Sequence, residues 1–436
     1  MGLSGQDTVV LNMERILNKV TKPVELKHYS IYRVPKNVRD SIEKKHYEPR
    51  LVSIGPYHRK KEHLRAMEER KHLYLQNFLD DSPSGALQEC VDAIRSMEAK
   101  ARACYFESPL LSSEEFVEML LLDGCFILQF FIQWFCGKAD PVFTVAWNLP
   151  LLHTDLLMLE NQIPYFVLQR LYGIYTRDPD RPVTARPKQS LIRTIAEYFY
   201  SVERPAVTNR VQLEEDNTID HLLHLYYCHF ISPPDYTYTA ATAAEPKPPR
   251  TVRCAKELTL HGVKFLKKKK TSNILDVSFS KDGVFEIPHV AIEESTCSTY
   301  MNLVAFEMSR DDVPSHFTSF AVLLDYLVNT ADDVLILHKA GIIENKLSND
   351  EEAADFFNQL RRCSYIDYKT HYLAHLYLGV DEFCHRDWPR YKASLRRDYL
   401  STPWAVVAFS FALLFAGFTI FSTVLSILQT FFNLYK

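Results

Sequence analysis

Glycine is scarce in this 436-residue chain, with 12 in all, and apart from Gly2 and Gly5 no two stand within ten positions of each other. Phosphate cradles need clustered glycines so that backbone N–H groups can approach an anion, which excludes glycine-rich Rossmann and P-loop signatures. An excess of either charge is lacking too. The 50 basic and 54 acidic side chains leave a net charge of minus 4, so no chain-wide basic field draws the protein to nucleic acid, and nucleic acid is not an expected partner. The nine cysteines contain no C-x-x-C pair, and their odd number suits a reducing compartment better than a disulfide framework. The stretch "MGLSGQDTVVLNMERILNKV" holds no apolar run longer than Val9 to Leu11, so a secretory signal is not expected. Gln6 stands where a myristoylation pattern wants Ser or Thr. There is no N-x-S/T glycosylation acceptor.

What is abundant is apolar and aromatic. Hydrophobic residues at 47% and aromatics at 13% describe an ordered chain, long enough for two lobes. The strongest physical signal lies near Lys436, because no charged side chain occurs between Asp398 and that residue. Helix from Trp404 to Leu428 would extend about 37 Å at about 1.5 Å per residue, enough to cross a hydrocarbon core of about 30 Å. Ala408, Ala412 and Ala416 recur every four residues along it, a pattern that permits close helix packing in lipid. Arg386, Arg390, Lys392, Arg396 and Arg397 precede the span and only Lys436 follows it. The positive-inside rule then predicts a single-pass membrane protein with the bulk of the chain cytosolic, without distinguishing plasma membrane from endomembrane.

Before the span, helical spacing dominates. Leu64, Met67, Leu75 and Phe78 form one stripe, and Leu87, Cys90, Val91, Ile94, Met97, Ala101 and Cys104 another. Ser112 and Glu115 match a capping box, and the helix they open should run to about Cys136. Its apolar length resembles a second span, but Glu118, Asp123, Gln129 and Gln133 would be costly in lipid and mark it as the central helix of a bundle. Residues 231–250, "ISPPDYTYTAATAAEPKPPR", read as a Pro-rich linker. After it "GVKFLKKKK", "NILDVSFS" and "GVFEIPHVAI" read as short strands, the second pair joined through Lys281, Asp282 and Gly283. Helical spacing returns in "TYMNLVAFEM", "FTSFAVLLDYLVN" and "NDEEAADFFNQL", the last opened by Asn349 with Glu352 three residues on. The expected fold class is mainly α, with helical bundle lobes, a small β-hairpin element and one C-terminal transmembrane helix. The expected division is an N-terminal segment 1–30, a helical lobe 31–230, the linker 231–250, a second lobe with hairpin and helices 251–400, and the transmembrane helix 404–428.

Chemistry is harder to find. In "DLLMLENQIPYFVLQRLY", Pro164 disfavours helix at Ile163, so one helix should stop near Glu160 and another start at Pro164. At such a junction Asn161 and Gln162 suit the first helix's carbonyls, and Glu160 suits the N–H groups of the second. Asp123, deep in "LLLDGC", must be paired, neutral or hydrogen-bonded, with Arg102 or Arg170 as expected partner. Asp123, Glu160, Asn161 and Gln162 are therefore assigned structural roles. The competing assignment is a membrane-tethered hydrolase using Asp123 or Glu160, but no G-x-S-x-G, H-E-x-x-H or Cys/His signature supplies a nucleophile or base, and no catalytic residue is expected. His221, His224 and Cys228 resemble part of a zinc site without a fourth ligand, and Glu43 with His46 or Glu69 with His72 echo half of a di-iron site. The first reads better as the core face of an amphipathic helix and the Glu/His pairs as solvated faces among Lys and Arg, and neither metal nor other cofactor is expected. Lys264 and Lys267 to Lys270 could meet anionic lipid, though such a run is more often solvated.

The blocks "IYRVPKNVRD", "YEPRLVSIGPYHR", "RACYFE", "EFVEMLLLDGCFILQFF", "LLMLENQIPYFVL", "AKELTLHGVKF", "VFEIPHVAI" and "NLVAFE", closed by "DWPRYKASLRRDYLSTPWA", resemble in order those of the plant family called domain of unknown function 247. The similarity runs from about Ile31 to about Phe421, departing at Arg59, Lys60 and Gln129. The resemblance implies a plant membrane-anchored protein with no established reaction and no catalytic residues to carry over. Some grass members of that family are associated with self-incompatibility on the pollen side. A lipid bilayer and an unidentified protein are the expected partners, and protein recognition the expected function.

Overall fold

The computed structural model describes residues 8–19, 29–40, 42, 44–137, 145–177, 190–203, 219–231, 248–269, 271, 273–362, 364–368, 371–386 and 403–434. Most of the linker at 231–250 lies outside them, as do Arg390, Lys392, Arg396, Arg397, Glu43 and Lys270. The chain divides into two compact units, the first formed by Met1–Ser232 with Glu294–Pro314, the second by Pro233–Glu293 with Ser315–Lys436.

In the first unit α1 (Thr8–Lys19) and the short α2 (Lys36–Asp40) precede an irregular segment that contains two single 3-10 turns, Lys44–His46 and Glu62–Leu64. Then come α3 (Arg65–Asp80), α4 (Ala86–Ala103), α5 (Ser113–Phe135), α6 (Asn148–Leu156), α7 (Tyr165–Tyr175), α8 (Leu191–Glu203) and α9 (Leu222–Phe230). The capping box of α5 is formed: Glu115 N donates to Ser112 Oγ at 3.2 Å and Ser112 N to Glu115 Oε2 at 2.9 Å. From Met119 to Ile132 every residue of α5 is buried, because α3, α4, α7 and α8 all pack against it. A helix apolar all round needs such a sheath. Each Leu, Ile or Phe taken from water there contributes about 1.5–3 kcal/mol.

The second unit begins with α10 (Ala255–Leu260), β1 (Lys264–Lys267), β2 (Ser278–Phe279), β3 (Val284–Ile287) and β4 (Val290–Ile292). The chain then gives α11 (Glu294–Met308) to the first unit, where it packs against α6 and α9. It returns with α12 (His316–Leu327), α13 (Ala331–Lys339), β5 (Ile343–Asn345), α14 (Asp350–Arg362), α15 (Ala374–Cys384) and α16 (Pro403–Leu434). The expected hairpin is present: β2 runs antiparallel to β3, with Ser278 opposite Glu286. Gly283 turns it at φ 77°, under the ring of Phe383, where a side chain would clash. β1 adds to β3 in parallel, Phe265 stacking on Phe285 at 5.6 Å between ring centroids. The run "VFEIPHVAI" is two strands, since β4 leaves β3 and pairs in parallel with β5. Pro288 stands at the break, where it has no N–H to give a ladder.

α16 contains a stretch, Val406–Gln429, long and apolar enough to cross a membrane, and none of it is buried among the described residues. Trp404 at its entrance is 82% exposed.

Candidate functional site

The residues Lys44 to Leu64 have no periodic structure to pair their backbone, yet Val52, Ser53 and Ile54 are almost fully buried. Buried N–H and C=O groups need partners, and here side chains from distant helices supply them. Asp155, in the last turn of α6, accepts from Arg50 N at 3.0 Å, Leu51 N at 2.7 Å and Val52 N at 2.9 Å. Asn161 accepts from Ile54 N at 2.6 Å and donates to Val52 O at 3.1 Å. Asp123 of α5 accepts from Gly55 N at 2.8 Å. Gly55 is required here twice over. Its φ is 75°, and any Cβ would run into the Gln162 carbonyl oxygen.

Behind this loop lies a buried ion cluster. Lys71 of α3 is fully buried, and its ammonium donates to Asp123 Oδ1 at 2.6 Å, to Ser53 O at 2.5 Å and to Glu68. All three N–H bonds of the lysine are thereby used. Burial pushes the Asp123 carboxyl up from its usual pKa, and the Lys71 ammonium opposes that push. Burial also lifts Asp155, to about 6, against the three backbone N–H groups that favour its charge. Glu160 is different. Burial would raise it, but His58, the Arg39 guanidinium and Val34 N, which donates at 2.8 Å, together hold it below the ordinary glutamate range. His58 Nε2 lies 3.5 Å from Glu160 Oε2, and burial lowers the histidine's own pKa, leaving a neutral ring beside a charged acid.

Asn161 also donates to Asp155 O at 2.9 Å, and Gln162 to Leu156 O and Met158 O at 2.8 Å each, so both amides hold carbonyls at the end of α6. That helix ends at Leu156, four residues before the expected stop. Glu160 does not serve α7, whose Tyr165 N donates instead to Asp220 O at 2.7 Å. It reaches back to α2 and the loop. Asp123 pairs with Lys71, while Arg102 bonds Glu98 and the carbonyls of Pro109, Leu111 and Ser112. Arg39, His58, Lys71 and Asp155 were not singled out from sequence. One of them carried a signal. Leu64, Met67, Lys71, Tyr74 and Phe78 follow helical spacing, which puts a lysine on the buried face of α3 in place of Leu75. Asp155 carried none, because only the early end of α6 at Leu156 puts this acid in a last turn, where it opposes the helix dipole and needs partners outside the helix.

The histidines of α9 serve the first unit differently. His221 Nε2 donates to Ser30 O at 3.0 Å and its Nδ1 accepts from His224 N at 3.2 Å, so neither nitrogen is open to a metal. Burial and the neighbouring His224 lower its pKa to about 3. Among the described residues no group of three or more His, Cys, Asp or Glu is arranged to hold a metal ion. His46 is buried, contrary to the solvated face expected for it, and bonds Ser298 Oγ at 3.0 Å, whereas His72 is exposed and faces its own helix carbonyl at Glu69. In the second unit Lys268 pairs with Asp276 at 2.6 Å. A polar groove of about 310 Å³ opens there between Arg253, Glu257, Asp325, Tyr326, Asn329 and Asn358.

The polar cluster of the first unit thus ties a buried loop to four helices, and its acids are occupied by main-chain N–H groups and cations. A family model described as a plant protein of unknown function, domain of unknown function 247, matches residues 31–417. The chain is 29% identical to UPF0481 protein At3g47200 of Arabidopsis thaliana, over 88% of this chain and 83% of that one. It is 24% identical to the putative UPF0481 protein At3g02645 of the same plant, over 93% and 92%. No solved structure matches it.

Proposed function

We propose, starting from the fact that this chain belongs to the plant family of unknown function called domain of unknown function 247, that it is a single-pass, C-terminally anchored recognition protein. The observation that carries this reading is α16. Its Val406–Gln429 span of 24 residues would extend about 36 Å at about 1.5 Å per residue, against a hydrocarbon core of about 30 Å. Its hydroxyls are satisfied within the helix: Ser410 Oγ donates to Val406 O at 2.8 Å, Thr419 Oγ1 to Phe415 O at 2.7 Å and Thr423 Oγ1 to Thr419 O at 2.7 Å. A helix that meets its own polar needs is suited to lipid.

The cations from Arg386 to Arg397 favour a cytosolic body. Asp123, Asp155, Asn161 and Lys71 are spent on holding the loop of their own unit, which favours a body that presents a surface over one that performs a reaction. Recognition of a protein partner, of the self-incompatibility kind in pollen, is the specific form of this proposal. Two experiments test it. The full-length chain is expected in the membrane pellet after carbonate washing, whereas a chain ending before Pro403 is expected in the supernatant. Proximity labelling from the anchored chain is expected to mark reproducible proteins that the truncated chain does not mark. Full-length protein in the supernatant without detergent overturns the anchor, and identical labelling by both chains overturns recognition at the membrane.

A further inference from the structure

Polar side chains from three helices and their flanks line the groove of the second unit, and the fold uses few of them. Arg253 lies just before α10 and Glu257 in its first turn, Asp325 in the last turn of α12, Asn329 just beyond that helix and Asn358 on α14. The side chains of these five make no hydrogen bond or ion pair among the described residues. Asp123, Asp155 and Lys71 of the first unit, by contrast, are all engaged. Asp325 is half-buried, and Arg361, the cation that acts on it, donates instead to Ser364 O at 3.1 Å and to Tyr368 Oη at 2.9 Å. We infer that this groove of about 310 Å³ binds a free basic α-amino acid, with the side-chain cation on Asp325, the α-ammonium on Glu257 and the α-carboxylate on Arg253.

The charges of the lining decide the class of ligand. Asp325 and Glu257 supply two negative charges and Arg253 one positive, so a molecule with two cations and one anion pairs each of them. The Asp325 end selects a cation twice over. The last turn of a helix carries the negative end of the dipole, and the carboxylate adds to the same field. A half-buried carboxylate without a donor also costs free energy, which a charged N–H group recovers. Burial lifts Asp325 to about 6, which leaves it ionised at neutral pH. A guanidinium presents its N–H groups as a planar fork that matches a carboxylate. At the other end, Arg253 and Glu257 stand four residues apart on one short segment. The α-carboxylate and α-ammonium share one carbon of the ligand, so neighbouring charges meet neighbouring charges. Asn329 and Asn358 can each donate and accept, which serves the N–H and oxygen positions left over. The volume stands at the small end of ligand sites, about 300–1,000 Å³, as a single amino acid requires.

The test titrates L-arginine into the detergent-solubilised full-length chain and reads binding by saturation-transfer NMR. L-Citrulline, which keeps the shape of L-arginine without the side-chain charge, and agmatine, which lacks the carboxylate, serve as competitors. Saturable binding of L-arginine with a Kd of about 1 mM or tighter is expected. Losing one charge-assisted contact should weaken binding about tenfold or more, so L-citrulline and agmatine should each compete that much less well than L-arginine itself. Asp325→Asn is expected to weaken L-arginine by a similar factor and to leave L-citrulline near its wild-type affinity. Arg253→Gln is expected to weaken L-arginine and to leave agmatine unchanged. Absence of saturable binding in this range overturns the proposal, and so does either competitor matching L-arginine. An Asp325→Asn chain, shown by circular dichroism to be folded, that binds L-arginine as the wild type does also overturns it. If that variant does not fold, the wild-type competition still decides.

Discussion

Lys71 and Gln129 are both fully buried in the first unit, and they differ in their partners. The lysine spends all its donors on Asp123, Ser53 O and Glu68. Neither amide atom of Gln129 has a hydrogen-bond partner among the described residues. Removing one member of a buried ion pair leaves the other charge stranded, at a cost of about 3–5 kcal/mol. Lys71→Met is expected to lower stability by about that much, read as a fall in the urea midpoint. A buried amide without partners costs about 1–3 kcal/mol, so Gln129→Met, close in volume, is expected to raise the same midpoint. An unchanged midpoint for Lys71→Met would mean that Asp123 is neutral in the fold. Asp155 carries a pH signature of its own. Its folded value is about 6 against about 3.9 for an unfolded aspartate. Between those values the native chain binds the extra proton, so the contribution of Asp155 to stability is largest below about pH 4 and falls as pH climbs through about 6. Asp155→Asn does not titrate. The stability of the wild type relative to this variant should therefore decline from pH 4 to pH 6.5 and then level off, and a flat difference would contradict the assignment.

At the scale of elements, the helices were written in local pattern. Ser112 and Glu115 mark the start of α5 to the residue, and Ser112→Ala is expected to cost about 1 kcal/mol in the same denaturation measurement. Asn349 likewise opens α14, accepting from Glu352 N at 2.7 Å. The turn Lys281 to Gly283 predicts the hairpin of β2 and β3. Three things were not legible, each for a physical reason. The stripe on α4 was placed slightly wrong, since Leu87 is 47% exposed while Ala93 lies inside; alanine and leucine compete for the same face and only the neighbours decide. The split of β3 from β4 depends on β5, more than 50 residues further on. The loop from Lys44 to Leu64 has no period at all. Its backbone is paired by Asp123, Asp155 and Asn161 at separations of 68 to 109 residues, and no local rule announces a partner at that distance. The candidate site was thus half readable: Asp123, Glu160, Asn161 and Gln162 stood out as polar residues in apolar runs, but what each holds is tertiary information.

For the whole molecule the question is what surrounds α16, and a charge placed at two depths answers it. In a bilayer the penalty for arginine depends on depth, about 2.5–3.5 kcal/mol at the centre of a span, and little near an end, where the side chain snorkels to the head groups. In contact with protein or water, depth has no such meaning. Phe418 lies at the middle of the Val406–Gln429 stretch and Val406 at its edge. Phe418→Arg is therefore expected to move a large part of the chain out of the carbonate-resistant membrane fraction, Val406→Arg to leave it there, and Phe418→Leu to behave as wild type. Equal effects of the two arginines would mean that α16 is not immersed in lipid, and the anchored form of the protein would have to be abandoned.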